Sequence, residues 1–388
     1  MKKRWAVISL AVAMALLCTG CFPTGVQVKG DISITDPAEL KNLPDHYREQ
    51  LSDRLLVNAD IIVPEDATYH IYKAQLRKPD VETWVDLCYG DRLDQIRLVN
   101  DDAATNPSPY AQTIYTHDGE GSVLNLSGTI INFAKRFQYR EYMLCTNFTN
   151  YKDDSYLPMS SFFKKGTVPD VDKQEALATA KNFVEQLQLP LESEPSVYAF
   201  DEEELNQLSD RYAGDFTRYN EEEQGYFISY RALVDNVPVY DFNYTPPNQD
   251  IVSGSYLGLA YTNYGLDEVW TGGFYETTEC VQEDVDLISL ESALSSVQTY
   301  LEEMVDMGPI LINKAELCYL PITNDVDGND FTLQPTWVID TYVFMQEVDW
   351  SKVQDLEDIK IEQDSIDVLA FSYKPYFIDA TTGKMVLS

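Results

Sequence analysis

Histidine is almost missing from this chain of 388 residues: there are three, His46, His70 and His117, and only six cysteines. No Cys/His set has the spacing of a zinc site, so no metal is expected. Basic residues are also scarce, 28 against 64 acidic ones, for a net charge of −36. Such a surface repels nucleic acid and anionic headgroups, although in salt its field reaches only about 8 Å. Nucleic acid is therefore excluded as a partner. There is no Gly-x-Ser-x-Gly elbow, no His-Glu-x-x-His and no phosphate loop. An acid-type hydrolase would need two carboxylates converging in a pocket, and nothing in the sequence selects such a pair. These absences favour binding over catalysis, with no cofactor. Beyond the N-terminal segment no apolar run approaches the ~20 residues of a transmembrane helix.

That N-terminal segment is the most informative stretch. Lys2, Lys3 and Arg4 precede an apolar core from Trp5 to Leu17, as in a secretory signal. Small residues then lead into Cys21 through Leu17-Cys18-Thr19-Gly20. The pattern resembles a bacterial lipobox, with Cys18 where Leu is usual. The resemblance implies that residues 1–20 are a signal peptide and that Cys21 is diacylated. At roughly 0.8 kcal/mol per buried methylene, two acyl chains make a stable anchor. The expected localisation is the extracytoplasmic face of the cell membrane.

Aromatic residues make up 12% of the chain, including 26 tyrosines, which is enough apolar surface to offset the ordering entropy of a fold. The length suits two or three domains. Four cysteines follow Cys21: Cys88, Cys145, Cys280 and Cys318. Outside the cell they could be oxidised; the domain reading pairs Cys88 with Cys145 and Cys280 with Cys318, and buried free thiols are the alternative.

Taken in order, residues 21–34 form a tether. Asp36-Pro37 reads as a helix start, with the helix reaching about Leu56. Val57 to Val63 and Tyr69 to Arg77 read as strands. Val81, Trp84, Val85 and Cys88 recur at helical spacing, and Gly90 is placed to end that helix. Gln112 to His117, Asp118-Gly119 and Ser122 to Leu126 read as a hairpin, with strands at Thr129 to Phe133 and Phe137 to Cys145. Asn147 to Pro169 breaks the pattern. The expected fold is α+β: an N-terminal α+β domain over 35–150, a linker over 151–170, and two related helix-on-antiparallel-sheet modules over 171–280 and 281–388.

The relation between the modules rests on two helices. Residues 171–185 and 288–302 match at an offset of 117, with Ala176-Leu177 and Ala293-Leu294 in register, then Phe183 and Tyr300. After the first, Tyr226 to Val234 and Val237 to Tyr240 flank a turn at Asp235-Asn236. After the second, strands are expected at Lys314 to Leu320, Pro335 to Phe344 and Val368 to Tyr373. The chain closes on Phe377-Ile378-Asp379-Ala380-Thr381-Thr382-Gly383-Lys384-Met385-Val386. With Pro335-Thr336-Trp337-Val338-Ile339, this ending resembles PepSY-type modules, as does the hairpin from Arg231 to Val239. The whole layout is similar to uncharacterised lipoproteins of Gram-positive bacteria, and more loosely to the YycH and YycI regulators. The resemblance implies a protein or peptide partner at the envelope, and carries over no catalytic residue.

Two stretches have binding chemistry. Asn324 to Asp330 is rich in oxygen ligands, but counted from Asp325 its Gly328 falls at position four where a calcium loop needs six, so a polar turn is expected. Tyr256, Tyr261, Tyr264, Trp270, Phe274 and Tyr275, interspersed with glycines, form the candidate surface for a ligand or partner. A carbohydrate or solute receptor is the alternative function. Inward-facing strand residues are the plainer account of these aromatics.

Overall fold

In a computed structural model the protein is described over residues 33–136 and 163–387, apart from 36, 66, 118, 120, 164–165, 213–217, 247–250, 305–307, 325–328, 345–347 and 353–370. Strand β1 (Ile34–Thr35) and one helical turn, α1 (Pro37–Leu40), precede β2 (His46–Ser52), β3 (Leu55–Ile62) and β4 (Ile71–Leu76). Helix α2 (Val81–Tyr89) is followed by β5 (Ile96–Asp101), β6 (Thr113–His117), β7 (Ser122–Leu126) and β8 (Ile131–Ala134). Next come α3 (Lys173–Leu187), β9 (Ser196–Phe200), α4 (Glu202–Tyr212), β10 (Gly225–Arg231), β11 (Leu233–Val234) and β12 (Val237–Pro238). Strands β13 (Tyr256–Thr262), β14 (Gly265–Thr271), β15 (Tyr275–Gln282) and β16 (Leu287–Ile288) lead to α5 (Leu290–Glu303). The chain ends with β17 (Ile310–Thr323), β18 (Phe331–Phe344), β19 (Phe371–Asp379) and β20 (Met385–Leu387).

Two eight-stranded sheets dominate. The first runs β5-β6-β7-β8-β14-β13-β10-β9, antiparallel throughout. The second runs β15-β4-β18-β17-β3-β2, with β19 beside β18 and β20 beside β19; its one parallel pairing is β17 with β3.

Strand alternation turns these sheets into layers. Tyr226, Ile228 and Tyr230 of β10 pack with Trp84 and Val85 of α2 and Ala176, Ala180 and Phe183 of α3. Phe227, between them, points the other way and joins Phe200 and Ala260 against Leu56, Leu311 and Tyr342 of the second sheet. The far face of that sheet, through Val57, Ile312, Leu317, Trp337 and Tyr376, holds Ala293, Val297 and Tyr300 of α5. The order is helices, sheet, sheet, helix. Each fully buried aliphatic or aromatic side chain contributes about 1.5–3 kcal/mol.

This architecture corrects the expected fold class. The protein is mostly β, not an α+β series of helix-on-sheet modules strung along the chain. Strands from residues 46–76 share a sheet with strands from 275–387, and strands from 96–134 share the other with strands from 196–271. Alternation tells which face of a strand is buried but not which strand lies beside it, so distant partners were invisible.

Local corrections have local causes. The helix expected from Asp36 to Leu56 stops at Leu40, because Pro44 cannot continue it, and β2 and β3 pair as a hairpin in its place. The Cys280 and Cys318 thiols are free: Cys318 is buried, which pushes its pKa well up, and Cys280 is exposed on β15. Cys88 is buried on α2, while Cys145, the strand expected at Phe137 to Cys145, and residues 325–328 lie outside the described residues.

Gly90, the Asp235-Asn236 turn and the two helices 117 residues apart lie where the spacing puts them, and the structure adds the helix caps. Asp80 caps α2 and Gly90 ends it with φ of 55°. Asp172 and Ser289 cap α3 and α5, which bury Ala176, Ala180 and Phe183 and, 117 residues on, Ala293, Val297 and Tyr300. Asp235 and Asn236 turn β11 into β12 with φ of 49° and 63°, the left-handed pair a tight hairpin needs. Asp379 accepts hydrogen bonds from the Thr381 N–H at 2.8 Å and from the Thr381 and Thr382 hydroxyls at 2.7 Å, shaping the last turn.

Candidate ligand groove

The β4–α2 connection, the β7–β8 turn and the β14–β15 link meet at one place on the first sheet. Arg77 leaves β4 with its N–H donating to the Phe274 carbonyl at 2.7 Å, which ties the Arg77-Lys78-Pro79-Asp80 segment to the β14–β15 link. Asp80 then starts α2 by accepting from the Thr83 hydroxyl at 2.9 Å. The β7–β8 turn is held by Ser127, whose Oγ donates to the Ile130 carbonyl at 2.9 Å and accepts from the Ile130 N–H at 3.2 Å. Gly128 N–H donates to Pro109 O at 2.8 Å.

Two pockets adjoin there. One, of about 270 Å³, has a floor of Trp84, Ile131, Leu187 and Phe274 and a rim of Arg77, Lys78, Thr83 and Gln188. The other, of about 230 Å³, is lined by Leu76, Val81, Ala111 and Leu126, with Asp101, Asn106 and Ser108 at its edge. Lys78, Pro79, Ser127 and Gly128 line both, so they form one groove. Together they reach the roughly 300–1,000 Å³ of small-ligand sites. The carboxylates at the rim are engaged, Asp80 by Thr83 and Asp101 by the Thr113 hydroxyl at 3.2 Å. Arg77 and Lys78 are exposed, and neither has an ion-pair or side-chain hydrogen-bond partner among the described residues.

The structure divides the six aromatics singled out in the sequence. Phe274 lies in the groove floor. Tyr256 and Trp270 line a third pocket of about 200 Å³, and the Gly272 backbone forms a wall common to this pocket and the groove. A Cβ on Gly272 would sit 1.8 Å from the Gly254 carbonyl oxygen, so only glycine fits between them. Tyr261 is buried on the α3 side, where burial and a hydrogen bond to Glu175 raise its pKa. Tyr264 lies against the Arg136 guanidinium, 3.8 Å from its ring centre, and donates to Glu222. Tyr275 is buried and donates to Ser253 O at 2.6 Å. Cys21 lies outside the described residues.

A second cluster of charge sits between the sheets. Arg231 of β10 donates to Glu316 of β17, Lys314 lies 3.2 Å from Glu316 and 3.0 Å from Asp340, and the Tyr373 hydroxyl donates to Asp340 at 2.7 Å. Burial alone would raise the Glu316 pKa; the Arg231 and Lys314 charges outweigh it and hold the carboxyl below its ordinary value. Burial would lower Lys314, yet Asp340 and Glu316 raise it. A smaller cluster pins the end of β8, where Arg136 pairs with Asp267 and, at 3.4 Å, with Glu223. Glu316 and Asp340 line none of the three pockets.

Sequence reasoning missed Arg77, Lys78, Trp84 and the Ser127-Gly128 turn as neighbours. One signal was available: after the N-terminal segment, basic residues stand side by side only at 77–78, 135–136 and 164–165. Of these, Arg136 is held by acids and Lys135 donates to the Tyr264 carbonyl at 2.8 Å.

Among the described residues no helix is long and apolar enough to cross a membrane. No family model and no curated protein matches the chain. An uncharacterized protein from Eubacterium rectale ATCC 33656, known from a crystal structure, is similar over 92% of this chain and 100% of its own length, with a TM-score of 0.62 and 14% identity. That similarity is one of fold.

Proposed function

We propose that the protein is a lipoprotein anchored through Cys21 on the outer face of the membrane, with a non-catalytic role in binding a protein or peptide at the cell envelope. The observation that carries the binding role is the groove beside Lys78 and Ser127, which combines an apolar floor with a charged and hydrogen-bonding rim drawn from separate chain segments. The anchor rests on the lipobox around Cys21. The test is crosslinking in cells from a photoreactive residue placed at Gln188, on the rim. Capture of a defined protein or peptide supports the reading, and capture of none, with glycan recovered in its place, overturns it. Cys21→Ala should release the protein from the membrane fraction; retention there would sink the anchor.

A carbohydrate or solute receptor is the second reading, favoured by Tyr256 and Trp270 in the pocket behind Gly272, since aromatic faces stack on sugars. Against it, solute receptors of the usual kind alternate strands and helices around a cleft, whereas all but one of the pairings within the two large sheets are antiparallel.

A further inference from the structure

We propose that the groove selects acidic peptide segments: extended chain whose Asp or Glu side chains meet Arg77 and Lys78 while an adjoining aliphatic or aromatic side chain enters the apolar floor. This rests on the reading that the groove binds peptide, and adds what kind.

The argument is one of charge left over. In a chain of net charge −36, two adjacent cations are expected to be neutralised by nearby acids. Lys314, Arg231 and Arg136 are neutralised in this way. Arg77 and Lys78 have no ion-pair partner among the described residues; the two acids of the groove lining, Asp80 and Asp101, keep their charge but are turned onto threonine hydroxyls and not onto the cations. The backbone that carries the cations is fixed, because the Arg77 amide N–H is bonded to Phe274 O and Pro79 and the Asp80 cap fix the chain that follows. Cations on this fixed backbone, beside buried Trp84 and Phe274, offer a carboxylate its charge partner and a neighbouring side chain an apolar seat. The acidity of the remaining surface does not defeat the site, since beyond about 8 Å salt screens it.

The test is selection from a random hexapeptide library on the detergent-solubilised full chain, with affinities of the winners measured by fluorescence anisotropy. The expected result is enrichment of Asp and Glu over the starting library. Affinity should fall about tenfold or more for the Arg77→Glu, Lys78→Glu double variant and weaken as salt is raised. Gln186→Trp, which fills the rim from α3 and leaves the Asp80 cap intact, should also reduce binding. Circular dichroism confirms that both variants fold. Winners without acidic bias that still lose binding to Gln186→Trp overturn the acidic preference and leave the peptide reading standing. Retention of no peptide overturns both.

Discussion

The protein uses cations in two ways, and the contrast between the inter-sheet cluster and the groove separates structure from function. Between the sheets Arg231 and Lys314 are almost withdrawn from water and matched by Glu316 and Asp340. At the groove Arg77 and Lys78 stand in water beside an apolar floor, matched by nothing described. A buried charge without its partner is costly, so the first arrangement fixes how the sheets meet. An exposed charge without a partner costs the fold little, so the second is free to serve a ligand.

The sharpest way to break the comparison is Glu316→Ala, which removes the ion-pair partner of Arg231 and one of the two carboxylates beside Lys314, and should cost about 3–5 kcal/mol in chemical denaturation. Replacing both partners, Arg231→Met with Glu316→Leu, should recover most of that loss; a double variant as unstable as the single one would show that packing, not charge, governs the site. Gly272→Ala should come next, at about 1–3 kcal/mol, because its methyl must displace the Gly254 carbonyl. The pH dependence follows from the sign of the Glu316 shift. Its folded pKa lies below its ordinary 4.5, so its contribution is present above about pH 4.5 and is lost as pH falls through the folded value. Acid denaturation of Glu316→Gln should lack that component. Arg77→Glu with Lys78→Glu should leave the thermal midpoint unchanged while weakening peptide binding about tenfold or more, the reverse of Glu316→Ala. Smallest is Lys73→Ala: Lys73 meets Glu279 at 2.8 Å, but both are half exposed, and the midpoint should not move.

The groove shows how a site can be partly legible. Phe274 belonged to the stretch marked out by its aromatics, and Trp84 to a helix whose apolar spacing and Gly90 stop were plain. That they share a floor with Ile131 and Leu187 depends on β14 lying between β8 and β13, and on α2 and α3 covering the same face. None of those neighbours can be read from spacing along the chain. The aromatic stretch itself divides because successive strand residues face opposite ways, sending Tyr261 to the helices and Trp270 to the other side.

What the sequence by itself determined is local: the apolar-striped helices and the tight turns at Asp235-Asn236 and Asp379 to Gly383. Each depends on residues within a few positions of one another, where backbone preference and hydrogen bonding act directly. Tertiary structure alone decided that β3 pairs in parallel with β17, that two sheets form across module boundaries, and that Arg231 meets Glu316 while Arg77 meets no one described. Those outcomes are set by which buried faces fit together, and a strand's alternation carries no record of its neighbour.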